Sequence, residues 1–529
     1  MTAAEVLVVG AGPTGLALAR QLASFNVPVR LVDRARDRVQ ESRALAIQPR
    51  TLEVLKGLGV TDALVAAGNP AVRMCLHARG RQRSVPLFDL GLEDTAYPYL
   101  LFLSQSETER LLIEHLAAAG VEVERGVELV GLDRAGDAVV ATLRHLDHRE
   151  ERVAARFVVG CDGAHSTVRH LAGIGFDGSS YPQTFVLADL EADGIAGGAA
   201  HVFLSEHGML FLFPLGRPAS WRLIAMRPPA DPTPPDNPVT LAEVQRLADS
   251  YSGASVRLRD PMWMTNFRLH HRAAASYRAG PVFLAGDAAH IHSPAGAQGM
   301  NTGIQDAINL GWKLAHALRG NSDPALLDSY EVERAPVGRT VLRFTDRAFT
   351  VATSTHPFVR FARTRIAPAL IPLVMAPRLM RATAFRTVAE LNIGYRHSPL
   401  SVQGHDAPRG GPRAGDRLPD ARLAADGLTL HKLTAEPGWH LLLCGPADAW
   451  PSTSTTVLDR YPITVHRLTA IDAAAAGRPS AAPALRRLGV VSGAAALYLA
   501  RPDGHIGYRS EGGDLSGLLS YLDRWLTRA

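Results

Sequence analysis

The segment EVLVVGAGPTGLALARQLASFNVPVRLVDR, residues 5–34, limits the folds open to this chain more than any other. The apolar run 6–9 reads as a buried strand, and Gly10, Gly12 and Gly15 follow it in the spacing G-x-G-x-x-G. Leu16, Leu18, Ala19 and Leu22 then recur with the period of one helical face, and a second apolar run, 29–32, ends in Asp33. Each glycine has a mechanical reason. Gly10 makes the tight turn out of the strand, Gly12 lets backbone amides approach a pyrophosphate, and Gly15 lets the helix lie close on the sheet. The helix start offers unpaired N–H groups and positive partial charge. Asp33, 18 residues beyond Gly15, stands where a carboxylate accepts hydrogen bonds from an adenosine ribose. Strand, glycine turn, helix, strand and acid in this order predict an α/β fold with a parallel sheet and an adenine dinucleotide site. The pattern leaves FAD and NAD both open.

Two distant segments separate them. ARFVVGCDGAHSTVRHLAGI (155–174) and AGDAAHIHSPAGAQGMNTGIQDA (285–307) each follow an apolar strand with paired glycine and aspartate and then a helix. With the N-terminal glycines in front of them, they resemble the class A flavoprotein monooxygenases, the aromatic hydroxylases. The second motif of that family is matched by Asp162, Gly163, Ser166 and Arg169. The third is matched by residues 286–290 and by Pro294, Gly299 and Asn301. The likeness covers about the first 345 residues well and the remainder more loosely. It implies a Rossmann-like FAD-binding domain of the glutathione-reductase type, with NADPH or NADH and O₂ as co-substrates.

Residue roles follow from the resemblance. Gly286 and Asp287 are expected at the FAD ribityl chain, and Pro294 against the isoalloxazine ring. Backbone amides around Gly299, Met300 and Asn301 are expected at the N1–O2 edge, which gains negative charge on reduction. A helix starting near Met300, with Ile304, Ala307, Ile308, Leu314 and Leu318 inward, points its positive end there and favours the reduced anion. Pro13, Thr14, Arg34, Gln105 and Asp162 complete the cofactor-binding candidates. Arg43 matches an arginine that contacts the FAD phosphates and lies on the nicotinamide path. It is the one candidate for positioning the flavin and admitting NAD(P)H, and no catalytic base is legible. His290 and His292 invite a metal reading, but alternate residues on an extended segment point opposite ways and no further ligands accompany them. Packing or hydrogen bonding is the expectation for both, and no metal site is assigned.

The FAD-binding domain is expected over 1–72, 97–180 and 272–345, interrupted by a β-rich substrate domain over 73–96 and 181–271. The inserted segments, HVFLSEHGMLFLFPL and WRLIAMRP among them, read as an antiparallel sheet roofing the flavin. Phe203, Met209, Phe211, Phe213, Trp221 and Met226 are the substrate-pocket candidates; strand alternation must turn about half of such residues to a core. NFRLHH, 266–271, leads back from the roof and borders the same region. A helical connection, 346–396, carries many arginines, which suit a solvated bundle better than a membrane surface. Residues 397–529 resemble the thioredoxin-like domain of phenol and polyketide hydroxylases, with a hairpin at Pro502, Asp503 and Gly504 and a last helix through Leu515, Leu518, Leu519 and Leu522. Cys444 is followed by Gly-Pro-Ala rather than x-x-Cys, so dithiol chemistry is excluded and a structural or oligomeric role is expected.

The reading is an FAD-dependent, NAD(P)H-consuming monooxygenase. The resemblance implies that it hydroxylates a phenolic or polycyclic aromatic substrate through a flavin C4a-hydroperoxide, in antibiotic biosynthesis or modification. Baeyer–Villiger oxygenation on the same scaffold is one alternative, and a flavin-dependent ligand-binding protein without turnover is another. No second strand–glycine–helix unit is found, which argues against disulfide reductases and two-dinucleotide Baeyer–Villiger enzymes. Three scattered cysteines suit a reducing cytoplasm, and no signal peptide fits the N-terminus. A formal net charge of +5 without a dense basic block points away from nucleic acid, and the proline-broken run IAPALIPLVMAP is too short to span a membrane. A homodimer is left open.

Overall fold

The computed structural model describes residues 2–526 except 39–43, 72, 79, 87–91, 137, 206–207, 217–218, 229–236, 293–296, 321–322, 324, 355, 375–376, 424–426, 452–455 and 470–480. Its first sheet has five parallel neighbours in the order Val282–Leu284, Glu150–Gly160, Thr2–Val9, Val29–Asp33 and Val123–Arg125. Parallel strands are covered on both faces, and Val6, Leu7 and Val8 are accordingly fully buried. The helix Pro13–Ser24 packs against the helix Gly299–Leu318, with Leu16, Leu18, Ile304 and Ala307 in one core. Val9 pairs with Val32 and Gly160, and Gly160 with Leu284. Four loops therefore leave the sheet along one carboxyl edge, the place where open parallel sheets bind ligands.

The second sheet has eight strands and lies over that edge. Its long members, Phe176–Asp193 and Arg257–Ala274, pair antiparallel along most of their length, followed outward by Trp221–Met226, Gly208–Pro214 and Ala200–Ser205. The expectation of an antiparallel sheet needs one correction. Ala200–Ser205 pairs parallel with Arg73–Ala78, which arrives from more than a hundred residues earlier as half of its own hairpin with Arg81–Pro86. At the other end, His290–Ile291 pairs with Arg272 and Ala273, so the third motif is hydrogen-bonded to the roof.

Beyond Gly299–Leu318 runs the long helix Ala325–Thr353, followed by Pro357–Phe361, Ala367–Val374 and Arg378–Val388. Phe358, Leu373 and Leu379 of these helices face solvent, so apolar side chains share that surface with the arginines. Among the described residues no helix is long and apolar enough to cross a membrane.

The C-terminal residues form a five-stranded sheet in the order Val402–Gln403, Ile506–Glu511, Ala496–Ala500, Trp439–Cys444, Ile463–Leu468, with the helix Ser516–Trp525 closing the chain. It is fused to the first unit, because Trp439, Leu441, Tyr521 and Trp525 belong to the same hydrophobic cluster as Leu7 and Leu16. A buried ionic network lies in the seam. Glu333 accepts from Lys313 at 2.7 Å and from both terminal nitrogens of Arg501 at 2.6 and 2.8 Å. Arg501 also meets Asp503, which accepts as well from Asn309 at 3.1 Å, Trp312 at 3.3 Å and the His505 amide at 3.2 Å. The network thus grips the far half of the Gly299 helix.

Candidate active site

A trough runs along the carboxyl edge of the parallel sheet. Its first chamber, of about 460 Å³, is lined by residues 9–12, Asp33, Arg34, Gln105, Asp162, Gly163 and Asp287. A second, of about 500 Å³, shares Gly12, Gln105, Gly163 and Asp287 with it, and continues under the roof to Leu187, Ile224, Phe267 and Leu269. Pro13, Thr14, Gly299 and Met300 line this second chamber. The first end is built from backbone and carboxylates. The roofed end sets Leu187, Ile224, Phe267 and Leu269 beside Asn266, Arg268 and His270, the mix of apolar wall and few polar groups that ligand pockets use.

Backbone geometry builds the polar end. Gly10 has φ +102°, and a Cβ there would stand 2.4 Å from the carbonyl oxygen of Cys161; one on Gly15 would stand 1.9 Å from that of Gly10. Gly12 is different: a Cβ there meets nothing within 4 Å and would project into the trough. The Pro13 helix begins with no side chain capping it, so its first N–H groups are free to serve a ligand. The Gly299 helix also lacks a side-chain cap and starts in the second chamber. Two uncapped helix ends in one trough, with an open Cβ direction between backbone and ligand space, fit a dinucleotide with a redox ring.

Acidic and amide groups are fixed around this frame. The Asp33 carboxylate accepts from the amides of Ala11 at 2.7 Å and Ala35 at 2.8 Å, with Arg125 at 3.6 Å, which holds it at the chamber wall. Asp162 turns its carboxylate to cap the helix Thr167–Leu171, accepting from Ser166 Oγ at 2.5 Å and the amide of Thr167 at 2.7 Å, and burial raises its pKa. Asp287 is exposed and lines both chambers. Gln105 spans Glu109 at 2.8 Å and the amide of Ala44 at 3.3 Å. Gly286, at φ +63°, sits so close to Thr14 that a Cβ would be 2.5 Å from its hydroxyl. Asn301 spends its side chain on the carbonyls of Ala46 and Ala297 and on the amide of Gln48. Arg34 is exposed on the lip of the first chamber. Arg43 and Pro294 lie outside the described residues.

The two histidine rings stack with centroids 5.7 Å apart, so they lie on the same side rather than pointing opposite ways as an extended segment would place them, but their polar neighbours differ. His290 is fully buried, 2.7 Å from Asp306, whose other oxygen meets Arg334 at 2.6 Å; His292 lines the second chamber. Arg50 is buried in the seam, donating to Glu53 and to the carbonyl of Asp503. Among the described residues no group of three or more His, Cys, Asp and Glu could hold a metal ion.

In the roof, cross-strand partners share a face. Phe211 opposes Ile224, and Ile224 opposes Leu187, so Phe211 with Met209, Phe213 and Met226 lies on that face of the sheet. None of the four, however, is among the residues lining the two chambers: Met209 and Phe211 pack beside Val202, and Phe213 stacks on Phe102. Phe203 and Trp221 lie on the other side, in the cluster packed against the helix Leu241–Ser252. Of the wall itself, Ile224, Leu187 and His165 escaped sequence reasoning. His165 sits inside the second motif, which was signal enough; Ile224 is visible only once the register is known. Asn266, Phe267 and His270 of NFRLHH line the second chamber.

This architecture is that of an FAD-dependent oxidoreductase, and comparison with known proteins agrees. The FAD binding domain family matches residues 3–345. The 6-methylpretetramide 4-monooxygenase of Streptomyces rimosus is 37% identical over 526 residues, covering 96% of this chain and 91% of that one. The anhydrotetracycline hydroxylase OxyS from the same organism superposes with a TM-score of 0.76 at 27% identity, over 99% of both chains. Aklavinone-11 hydroxylase, solved with FAD and aklavinone, gives 0.79 at 25% identity over 99% of both. The chain belongs to the FAD binding domain family and, within it, to the class A flavoprotein monooxygenases. It is a flavin-dependent aromatic monooxygenase, with FAD as cofactor and O₂ and NAD(P)H as co-substrates.

Proposed function

We propose that this enzyme hydroxylates a polycyclic phenolic substrate held beneath the roof. The observation that carries the reading is the second chamber: about 500 Å³, continuous with the dinucleotide end, and roofed by Leu187, Ile224, Phe267 and Leu269. The curated relative of S. rimosus and the aklavinone complex act on or hold polycyclic compounds by their names, which supports a ligand of that size.

The residues then divide the work. The Pro13 helix and Gly12 hold the pyrophosphate, Asp33 the ribose and Asp287 the ribityl chain. The Gly299 helix directs its free amides at the ring edge. FAD, once bound and reduced by NAD(P)H, supplies the activation of O₂ for transfer of one oxygen atom. Apolar side chains of the roof exclude water and set the angle of the substrate ring, and both decide whether oxygen reaches carbon. Arg43 serves the NAD(P)H approach. In this reading the first sheet is a Rossmann-like domain spanning 1–72, 97–180 and 272–345, with the substrate domain inserted into it. Residues 397–529 are a thioredoxin-like structural domain. Cys444 is fully buried, and burial pushes its thiol pKa up, which suits a role in packing.

The test is NAD(P)H oxidation with a panel of polycyclic phenols. Ligand-stimulated oxidation with labelled oxygen entering a product that keeps its aromatic ring supports the reading. A ring-expanded ester supports Baeyer–Villiger chemistry, and tight binding without oxidation supports a ligand-binding protein.

A further inference from the structure

The helix Arg378–Val388 ends in a Schellman turn: the amide of Glu390 donates to the Thr387 carbonyl and that of Leu391 to the Arg386 carbonyl. Glu390 holds the left-handed position of that turn, φ +59°, where glycine costs least. Its side chain is nonetheless buried to 3% exposure and aimed at the start of the Gly299 helix. Thr302 Oγ1 donates to Oε1 at 3.1 Å, and Gln305 Nε2 donates to Oε2. Thr302 and Gln305 lie in the first two turns of the helix that starts at Gly299 and Met300, which line the second chamber. A strained backbone is therefore kept so that a carboxyl can lie against the positive end of the helix that faces the ring.

We propose that Glu390 is a positioning residue for the flavin, whose carboxyl takes up a proton as the ring is reduced and so leaves the positive end of the Gly299 helix uncancelled. The inference rests on the placement of the ring edge given above. Two electrons and one proton reach the ring as hydride from the nicotinamide, which departs oxidised. The single negative charge so added is balanced by one proton drawn from water onto a Glu390 oxygen.

The surroundings favour such a proton. Burial is the largest influence and lifts the Glu390 pKa to about 7; the Arg334 guanidinium and the bonds from Thr302 and Gln305 act against it, while Asp306 adds to it. Arg334 is committed to Asp306, to the Thr302 carbonyl and to the Tyr395 hydroxyl. From the helix Pro49–Lys56, Arg50 offers its amide to the Ala389 carbonyl, while its guanidinium serves Glu53 and Asp503. His290 faces Asp306.

The experiment is the flavin midpoint potential against pH for the FAD-loaded enzyme and Glu390→Gln. One proton per two electrons gives about 30 mV per pH unit, and two protons about 59. The wild type should steepen from the first slope to the second above about pH 7, and Glu390→Gln should keep the first throughout. Identical profiles overturn the proposal. Thr302→Val, which removes a donor to the carboxylate, should move the steepening to higher pH, and an unmoved transition counts against it. A purely structural Glu390 would change the unfolding temperature and leave the slopes alike. Protein that takes up no FAD overturns the site reading itself, an outcome distinct from equal slopes.

Discussion

Arg169 reaches from the second motif to the third: its Nη1 donates to the carbonyl of Ala288 at 2.8 Å. Its Nη2 donates at 3.0 Å to Ala164, in its own loop, and its guanidinium lies 3.7 Å from the ring centre of Phe176 at the start of the roof. One side chain therefore ties together two floor loops and the sheet above them. Replacing Arg169 by Ala removes charge-assisted bonds from a buried position, at a cost of about 2–4 kcal/mol. Denaturant unfolding should show that loss, and equilibrium dialysis should show weaker FAD binding. Arg169→Lys should recover only part of either, since an ammonium cannot span two carbonyls as a fork does. Unchanged stability in Arg169→Ala would contradict the brace.

Gly10 and Gly12 separate folding from binding. Gly12→Ala meets open space and should leave the apo protein folded, with unfolding free energy within about 0.5 kcal/mol of wild type, while FAD affinity falls tenfold or more. Gly10→Ala pushes a methyl against the Cys161 carbonyl and should yield little folded protein. The readouts are circular dichroism and flavin absorbance on the same samples. Equal FAD affinity in Gly12→Ala would remove the pyrophosphate from this turn.

Asp287 is exposed and lines both chambers, so Asp287→Ala should cost little stability. Its effect belongs to the cofactor. Flavin retained through gel filtration should drop sharply, and unchanged retention would exclude a ribityl role.

Glu333 couples the two halves of the chain. Glu333→Gln leaves Lys313 buried without its anion and Arg501 with Asp503 alone, and should cost about 3–5 kcal/mol. The charges of Arg501 and Lys313 outweigh burial and lower the Glu333 pKa to about 2. A carboxylate depressed in the folded state contributes stability above its unfolded pKa, which is lost as pH falls through the folded value. Wild-type stability should therefore decline from about pH 4.5 towards pH 2, and the variant should lack this part of the decline. Parallel acid-unfolding curves would rule it out.

What could be read in the sequence is what local pattern encodes. The turn at Gly10, the acid at Asp33 and the start of the Gly299 helix each follow from a few neighbouring residues. The roof was legible as strands but not as faces, because one register step exchanges Phe203 for Val202 on the trough side. The parallel pairing of Ala200–Ser205 with Arg73–Ala78 carries no local signature. Glu390 and Glu333 are unremarkable glutamates in the sequence. Their character comes from burial against elements far away along the chain, which periodicity does not report.

The seam around Glu333 bears on how such chains diverge. Lys313 and Glu333 stand on one side of it and Arg501 and Asp503 on the other, all withdrawn from water. A foreign tail lacking the Arg501–Asp503 hairpin would leave Glu333 with Lys313 as its one cation and would take the carboxylate from Asn309 and Trp312, so tail exchange between homologues should succeed only as a matched graft. Heredity is expected to treat these four positions as a single locus, even though the enzyme does its chemistry elsewhere.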